Sequence, residues 1–130
     1  MKNIICLLIM TFSFTIFSCA ENKNEHTNNT TKINYPDTLS LGDVSLSDTT
    51  RGEIKITNEG KNALILKKVT ASCQCTTPIY DSLPVKSNNA TKIQVGIYLK
   101  DTGYFEKNIV FEANTDSIYQ VVVVRGHAIK

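Results

Sequence analysis

The sequence predicts an all-β domain, an antiparallel sandwich of about seven short strands, and three observations carry that expectation. Apolar residues alternate with polar ones in short runs, the period at which successive side chains of a strand point to opposite faces. Turn-forming residues interrupt the chain about every 8–12 residues, the spacing of sandwich and barrel folds. Beyond residue 19 no stretch of convincing length shows a helical period.

The elements follow in chain order. The period of two begins at Thr38. Ile54 and Ile56 alternate with Glu53, Lys55 and Thr57, so this strand has one apolar and one polar face. Asn58-Glu59-Gly60-Lys61-Asn62 is rich in turn formers and reads as the link of a hairpin leading to Leu64 and Leu66. Ser87-Asn88-Asn89 reads as another turn, because asparagine tolerates positive φ. Ile93, Val95, Ile97 and Leu99 then alternate with Lys92, Gln94, Gly96 and Tyr98, the cleanest half-buried strand in the chain. Its register points Val95 inward and Lys92 outward. Asp101-Thr102-Gly103 turns the chain again. Phe105, Ile109 and Phe111 share one face of the next strand, with Lys107 the misfit among them. After a turn at Asn114-Thr115-Asp116-Ser117, the run Ile118 to Val124 is mostly β-branched and reads as a central strand buried on both faces. Some 90 residues in seven such strands fit the immunoglobulin-like plan.

Ahead of this domain the chain reads as a targeting segment and a tether. Met1-Lys2-Asn3 places one positive charge before the apolar run Ile4 to Phe17. That run is shorter than the roughly 20 apolar residues a membrane-spanning helix needs. It ends in Ile16-Phe17-Ser18-Cys19, which resembles a lipoprotein processing site: an aliphatic residue three before a cysteine and a small one just before it. Residues 1–18 are therefore expected to be a cleaved lipoprotein signal peptide, with Cys19 as the lipidated residue. Cleavage leaves 112 of the 130 residues, enough for one domain. Residues 19–37 are expected to be the lipidated cysteine and a disordered tether, spanning roughly 20–25 Å, because up to Lys32 polar residues dominate and the largest aliphatic side chain is alanine. The domain proper then spans residues 38–130.

Charge limits the partners. The whole chain has 14 Lys and Arg against 12 Asp and Glu, a net charge of +2 that loses one unit with Lys2. No basic surplus is present to neutralise phosphates, so no nucleic-acid partner is expected. The expected attachments are a membrane, through the lipid, and an envelope protein. The expected location is the cell envelope, with the outer membrane as the first choice.

Cys6 leaves with the signal, so apart from Cys19 the mature thiols are Cys73 and Cys75, in Ser72-Cys73-Gln74-Cys75-Thr76. On a flat strand, residues i and i+2 lie about 6.6 Å apart. A disulfide needs Cβ atoms roughly 3.5–4.5 Å apart, so a flat strand strains it more than a two-thiolate metal site, whereas a bend at Gln74 would permit either. An extracytoplasmic location favours oxidation, and so small a ring favours an oxidising, exchangeable bond. Two thiols without a nearby histidine form an incomplete zinc set, while Cu(I) accepts soft thiolates at lower coordination numbers. Lys67 and Lys68 would lower a thiol pKa if the fold brought them near. A structural disulfide leads these readings, with redox work and Cu(I) binding behind it.

Other chemistry is sparse. His26 lies in the tether and His127 near the C-terminal end, and Asp81, Asp101 and Glu112 fall at turns or outward strand positions. No nucleophile elbow, zinc-protease helix or phosphate loop is present in the sequence, so no catalytic residue, no enzyme activity and no cofactor are expected. Asp37-Thr38-Leu39, Asp48-Thr49-Thr50, Asp81-Ser82-Leu83 and Asp116-Ser117-Ile118 look like an O-glycosylation triplet used by some Bacteroidetes, although Asp-Thr and Asp-Ser are also ordinary turn chemistry. A carbohydrate-binding role would have to rest on tyrosines, because the chain has no tryptophan.

Several elements together resemble domain-of-unknown-function family 1573, common in lipoproteins of Bacteroidetes-type bacteria. They are Asn58-Glu59-Gly60 before Leu64-Ile65-Leu66, Val69-Thr70-Ala71-Ser72-Cys73-Gln74-Cys75-Thr76, Gly103-Tyr104-Phe105, Asn114 and the late Gly126. The resemblance covers about Leu39 to Ile129. It implies an immunoglobulin-like sandwich related in plan to Hydin-like and major-sperm-protein-like domains, and it implies no activity. Gln74 stands where the family has glycine, so a left-handed backbone there would carry a cost. The family's Pro-Gly turn is replaced near Ser87-Asn88-Asn89. The function expected is that of a non-enzymatic envelope lipoprotein presenting its domain for protein interaction. The alternative is an envelope thiol protein, redox-active or handling Cu(I), working through Cys73 and Cys75.

Overall fold

Two four-stranded sheets face each other across one apolar core in the computed structural model, which describes residues 29–46 and 49–130. The strands are β1 (Ile33–Asn34), β2 (Thr38–Ser45), β3 (Thr50–Asn58), β4 (Leu66–Ala71), β5 (Thr76–Tyr80), β6 (Ala90–Ile97), β7 (Gly103–Ala113) and β8 (Tyr119–Ile129). One sheet has the order β1-β3-β6-β5 and the other β2-β8-β7-β4. This is an immunoglobulin-like sandwich, and the described residues contain no helix. The expected signal peptide, Cys19, His26 and residues 20–28 of the expected tether lie outside the described residues.

Alternation builds the core. Ile54 and Ile56 of β3, Ile93, Val95 and Ile97 of β6, Phe105, Ile109 and Phe111 of β7, and Val122 and Val124 of β8 all point between the sheets and are buried. Each such side chain contributes roughly 1.5–3 kcal/mol by leaving water. Their neighbours Glu53, Lys55, Lys92 and Gln94 face solvent. The expected register of β6 is therefore the observed one. Asn88 takes positive φ, at 63°, as the Ser87-Asn88-Asn89 turn requires.

Four expectations need correction. The link 58–62 is not a hairpin: β3 pairs with β6 and β1, while β4 pairs with β7 in the other sheet. The segment carries the chain from one sheet to the other, and turn composition alone does not distinguish the two connections. Second, the sandwich is not antiparallel throughout: among the described residues, β2 runs parallel to β8. Third, β8 is central in its sheet but buried on one face only. Val122 and Val124 are inside, whereas Val121 is 48% and Ile118 57% exposed. Branched residues favour strands on solvated faces as well as buried ones.

The fourth correction concerns the tether, since its part from Thr31 to Asp37 belongs to the fold. Ile33 and Asn34 pair with Asn58 and Thr57. The Tyr35 ring meets Phe111 edge-on at 5.3 Å, and its hydroxyl donates to Gln120 Oε1 at 2.7 Å. Burial raises the Tyr35 pKa above the usual phenol value, with the Asp37 carboxylate adding to the effect. Thr31 is buried, and its hydroxyl donates to Asn58 Oδ1 at 2.7 Å. Polar composition is misleading here because the hydrogen-bonding partners lie far away in sequence.

Asn58 is the centre of this junction. Fully buried, it donates through Nδ2 to the carbonyls of Asn62 and Val85, and its Oδ1 also accepts from Gly60 N. A buried amide with all these partners is a stabilising node, whereas one left unpaired would cost several kcal/mol. Gly60 is needed because a Cβ there would lie 2.0 Å from Thr31 Oγ1 and 2.5 Å from Lys32 N. The Asn-x-Gly element thus locks the incoming segment onto the crossover.

Candidate functional site

Two places combine exposure with unusual chemistry: the Cys73–Cys75 bend and the outer face of the β2-β8-β7-β4 sheet. The bend follows β4, where the chain leaves one sheet to enter the other at β5. Both of its ends are tied down. Ser72 N donates to Asn108 O, and Asn108 N donates back to Ser72 Oγ. Tyr98 N donates to the Cys75 carbonyl at 2.9 Å, and Thr76 N to the Cys73 carbonyl at 3.3 Å.

Within this bend Cys73 and Cys75 are joined as a disulfide, their Cα atoms 5.3 Å apart. That is closer than the roughly 6.6 Å of a straight strand, because residues 72–75 turn rather than extend. Gln74 does so without positive φ, so the cost that a left-handed backbone would carry there does not arise. Both cysteines are half-buried. The Thr76 side chain is only 5% exposed, and its Oγ1 lies 3.4 Å from Cys73 Sγ and 3.8 Å from Cys75 Sγ. Disulfide sulfurs carry no hydrogen, so the hydroxyl is the donor. Cys75, but not Cys73, lines an open hollow of about 390 Å3 together with Thr49, Gln74, Thr77, Gly96, Tyr98 and Lys100.

Lys67 and Lys68 do not serve these thiols. They lie near the start of β4, Lys68 opposite Glu112 on β7, and the cysteines lie beyond the strand's other end, roughly 15 Å along it. His127 is opposite Asp43 on β2, with Nδ1 and Oδ1 3.3 Å apart at the exposed surface, and its ring tilts toward Tyr104. Asp81 Oδ1 accepts from Leu83 N as an ordinary turn carboxylate. Among the described residues, no group of three or more His, Cys, Asp or Glu side chains is placed to hold a metal.

The sheet face was not singled out from the sequence. Val121 and Val110 are cross-strand partners, Val123 follows Val121 on the same side, and Tyr119, 63% exposed, precedes it. The result is an apolar strip on the solvent side of β7 and β8. Charges frame it: Glu112 opposite Lys68 at one end and Glu106 opposite Arg125 at the other. Tyr104 and Tyr119 pair with opposite ends of β7 and β8, about 25 Å apart, so they form no common platform for a sugar ring. The signal in the sequence was the run Ile118 to Val124, whose exposed alternate residues a rule of burial assigns to the core.

Fold and surface together define a class: an immunoglobulin-like β-sandwich with a disulfide at the sheet crossover. The chain belongs to the family described as Protein of unknown function (DUF1573), whose model matches residues 31–128. That match begins at the buried Thr31. Among solved structures, a protein of unknown function from Porphyromonas gingivalis W83 superposes with a TM-score of 0.65 at 18% identity, over 75% of this chain and 47% of that one. This chain thus spans about half the length of that relative. The ASH / PapD-like domain 7 of human CEP192 gives a TM-score of 0.63 at 10% identity, over 78% of this chain and 88% of that one. WR4, a C. elegans MSP family member, gives 0.50 at 16% identity, over 76% and 99%. At such identities the likeness is one of fold. Among curated proteins none matches the chain.

Proposed function

We propose that the chain is a non-enzymatic lipoprotein of the cell envelope, held to a membrane by a lipid on Cys19 and presenting its sandwich to a protein partner. The observation that carries this reading is the apolar strip Tyr119, Val121, Val123 and Val110 on a face otherwise edged by charges. An exposed apolar strip with a polar rim is the usual anatomy of a protein contact. The processing-site resemblance at Ile16 to Cys19 supports the anchor, and the Porphyromonas neighbour fits the bacterial setting that the family resemblance implies.

The test is a photo-crosslinking amino acid placed at Val121 or at Gln94 in the native host. A discrete protein adduct from Val121 and none from Gln94 is expected; equal patterns would refute the assignment of the face. The anchor is tested separately. Cys19→Ala should move the protein from the membrane to the soluble fraction, and retention at high salt would refute lipidation.

A further inference from the structure

We propose that the Cys73–Cys75 disulfide is an exchangeable redox site that accepts two electrons from a dithiol, with Cys75 the sulfur attacked and the Thr76 hydroxyl receiving the Cys73 thiolate. The inference is independent of the partner face, which lies on other residues.

Stability does not explain the bond. A disulfide closing so short a loop removes little entropy from the unfolded chain. The bend is already fastened by the Ser72–Asn108 pair and by the Tyr98 bond to Cys75. What remains distinctive is chemical. A nearly buried hydroxyl is directed at both sulfurs, closer to Cys73, and only Cys75 opens onto the hollow beside Lys100. Exchange requires an accessible sulfur for the incoming thiolate and stabilisation of the departing one. The lysine favours arrival of an anionic thiolate, and a hydrogen-bond donor at the leaving sulfur lowers its proton affinity.

The chemistry balances without another reagent. One thiol of the dithiol loses its proton to solvent, and its sulfur bonds to Cys75 Sγ. The Cys73–Cys75 bond breaks, and its electron pair leaves on Cys73 Sγ, which accepts a hydrogen bond from Thr76. The second thiol, also deprotonated, then attacks its own partner sulfur in the mixed disulfide and releases the Cys75 thiolate. Both protein thiolates take protons from solvent. The dithiol is oxidised to a disulfide and the protein is reduced to two thiols.

The experiment equilibrates the purified full chain in detergent with a series of reduced-to-oxidised glutathione ratios at pH 8. Acid quenching, alkylation and mass measurement then count free thiols at Cys73 and Cys75. The wild-type disulfide should titrate within the series. Thr76→Val should need a ratio about fivefold more reducing for half-reduction, the factor one hydrogen bond is worth, while Thr76→Ser should stay within about twofold of wild type. Brief exposure should trap glutathione on Cys75. A bond that resists every ratio, equal midpoints for Thr76→Val and wild type, or glutathione on Cys73 would each overturn the proposal. The Cys73→Ser/Cys75→Ser double variant should stay folded and melt no more than about 15 °C below wild type, and its unfolding would identify the bond as a structural staple instead.

Discussion

The two sheets bury equivalent inner faces, but the outer faces of their central strands differ. Outside β3 and β6 stand Arg51, Glu53, Lys55, Lys92 and Gln94, with Lys92 Nζ 2.8 Å from Glu53 Oε2. Outside β7 and β8 stand Val110, Tyr119, Val121 and Val123. The same alternation rule built both, so folding needs do not account for the difference. Charged outer positions keep a sheet soluble and discourage unintended pairing, whereas exposed branched and aromatic side chains impose a solubility cost that a partner would offset. Under the proposed function, a partner would contact the β7–β8 face, and the outer face of β3 and β6 would remain solvent surface.

The largest effect expected tests whether inner and outer are correctly assigned at all. Val95→Asp places a carboxylate in the core and should abolish the cooperative melting transition, while Lys92→Asp, three residues away and outward, should leave a folded domain. Similar melting temperatures for the two would break the inner-outer distinction. Next, polar groups should differ by depth as apolar ones do. Asn58→Ala leaves the Val85 and Asn62 carbonyls and the Thr31 hydroxyl short of a partner, and should cost about 3 kcal/mol in denaturant titration. Gln94→Ala on the outer face of β6 should cost less than about 0.5 kcal/mol.

Comparing the outer faces directly calls for paired substitutions of matched chemistry. Val121→Lys and Gln94→Lys should each change stability by no more than about 1 kcal/mol, yet only the first should abolish the crosslinked adduct formed from a probe at neighbouring Val123. Loss of the adduct in both, or in neither, would remove the functional distinction between the faces. The smallest effect belongs to the half-exposed Lys92–Glu53 pair. Lys92→Gln should cost between zero and about 1 kcal/mol, shrinking with added salt, because exposed ion pairs are weak and screened.

Much of this molecule was legible before any fold was known. Ile93, Val95 and Ile97 declare the inner face of β6, and Phe105, Ile109 and Phe111 that of β7. Asn88 was recognisable as a turn residue from its tolerance of positive φ. The candidate sites were only half legible. Cys73 and Cys75 stand out by spacing, but Thr76 is an ordinary threonine until the bend turns its hydroxyl back onto the sulfurs. Val121 looks like core until Val122 and Val124 are seen to occupy the only buried side of β8.

The division follows from the range of the forces involved. By itself the sequence determined which positions of β3, β6 and β7 face inward, because side-chain alternation is a property of consecutive residues and the apolar pattern records it directly there. Tertiary structure alone decided which strands share a sheet, that residues 58–62 cross between sheets, and that Thr31 to Asp37 close over Asn58 and Phe111. Several of those outcomes rest on hydrogen bonds between residues far apart in sequence, such as Thr31 with Asn58, 27 apart, and Tyr35 with Gln120, 85 apart. Their free energy appears only when the whole chain has closed on itself, so no local window of sequence contains it.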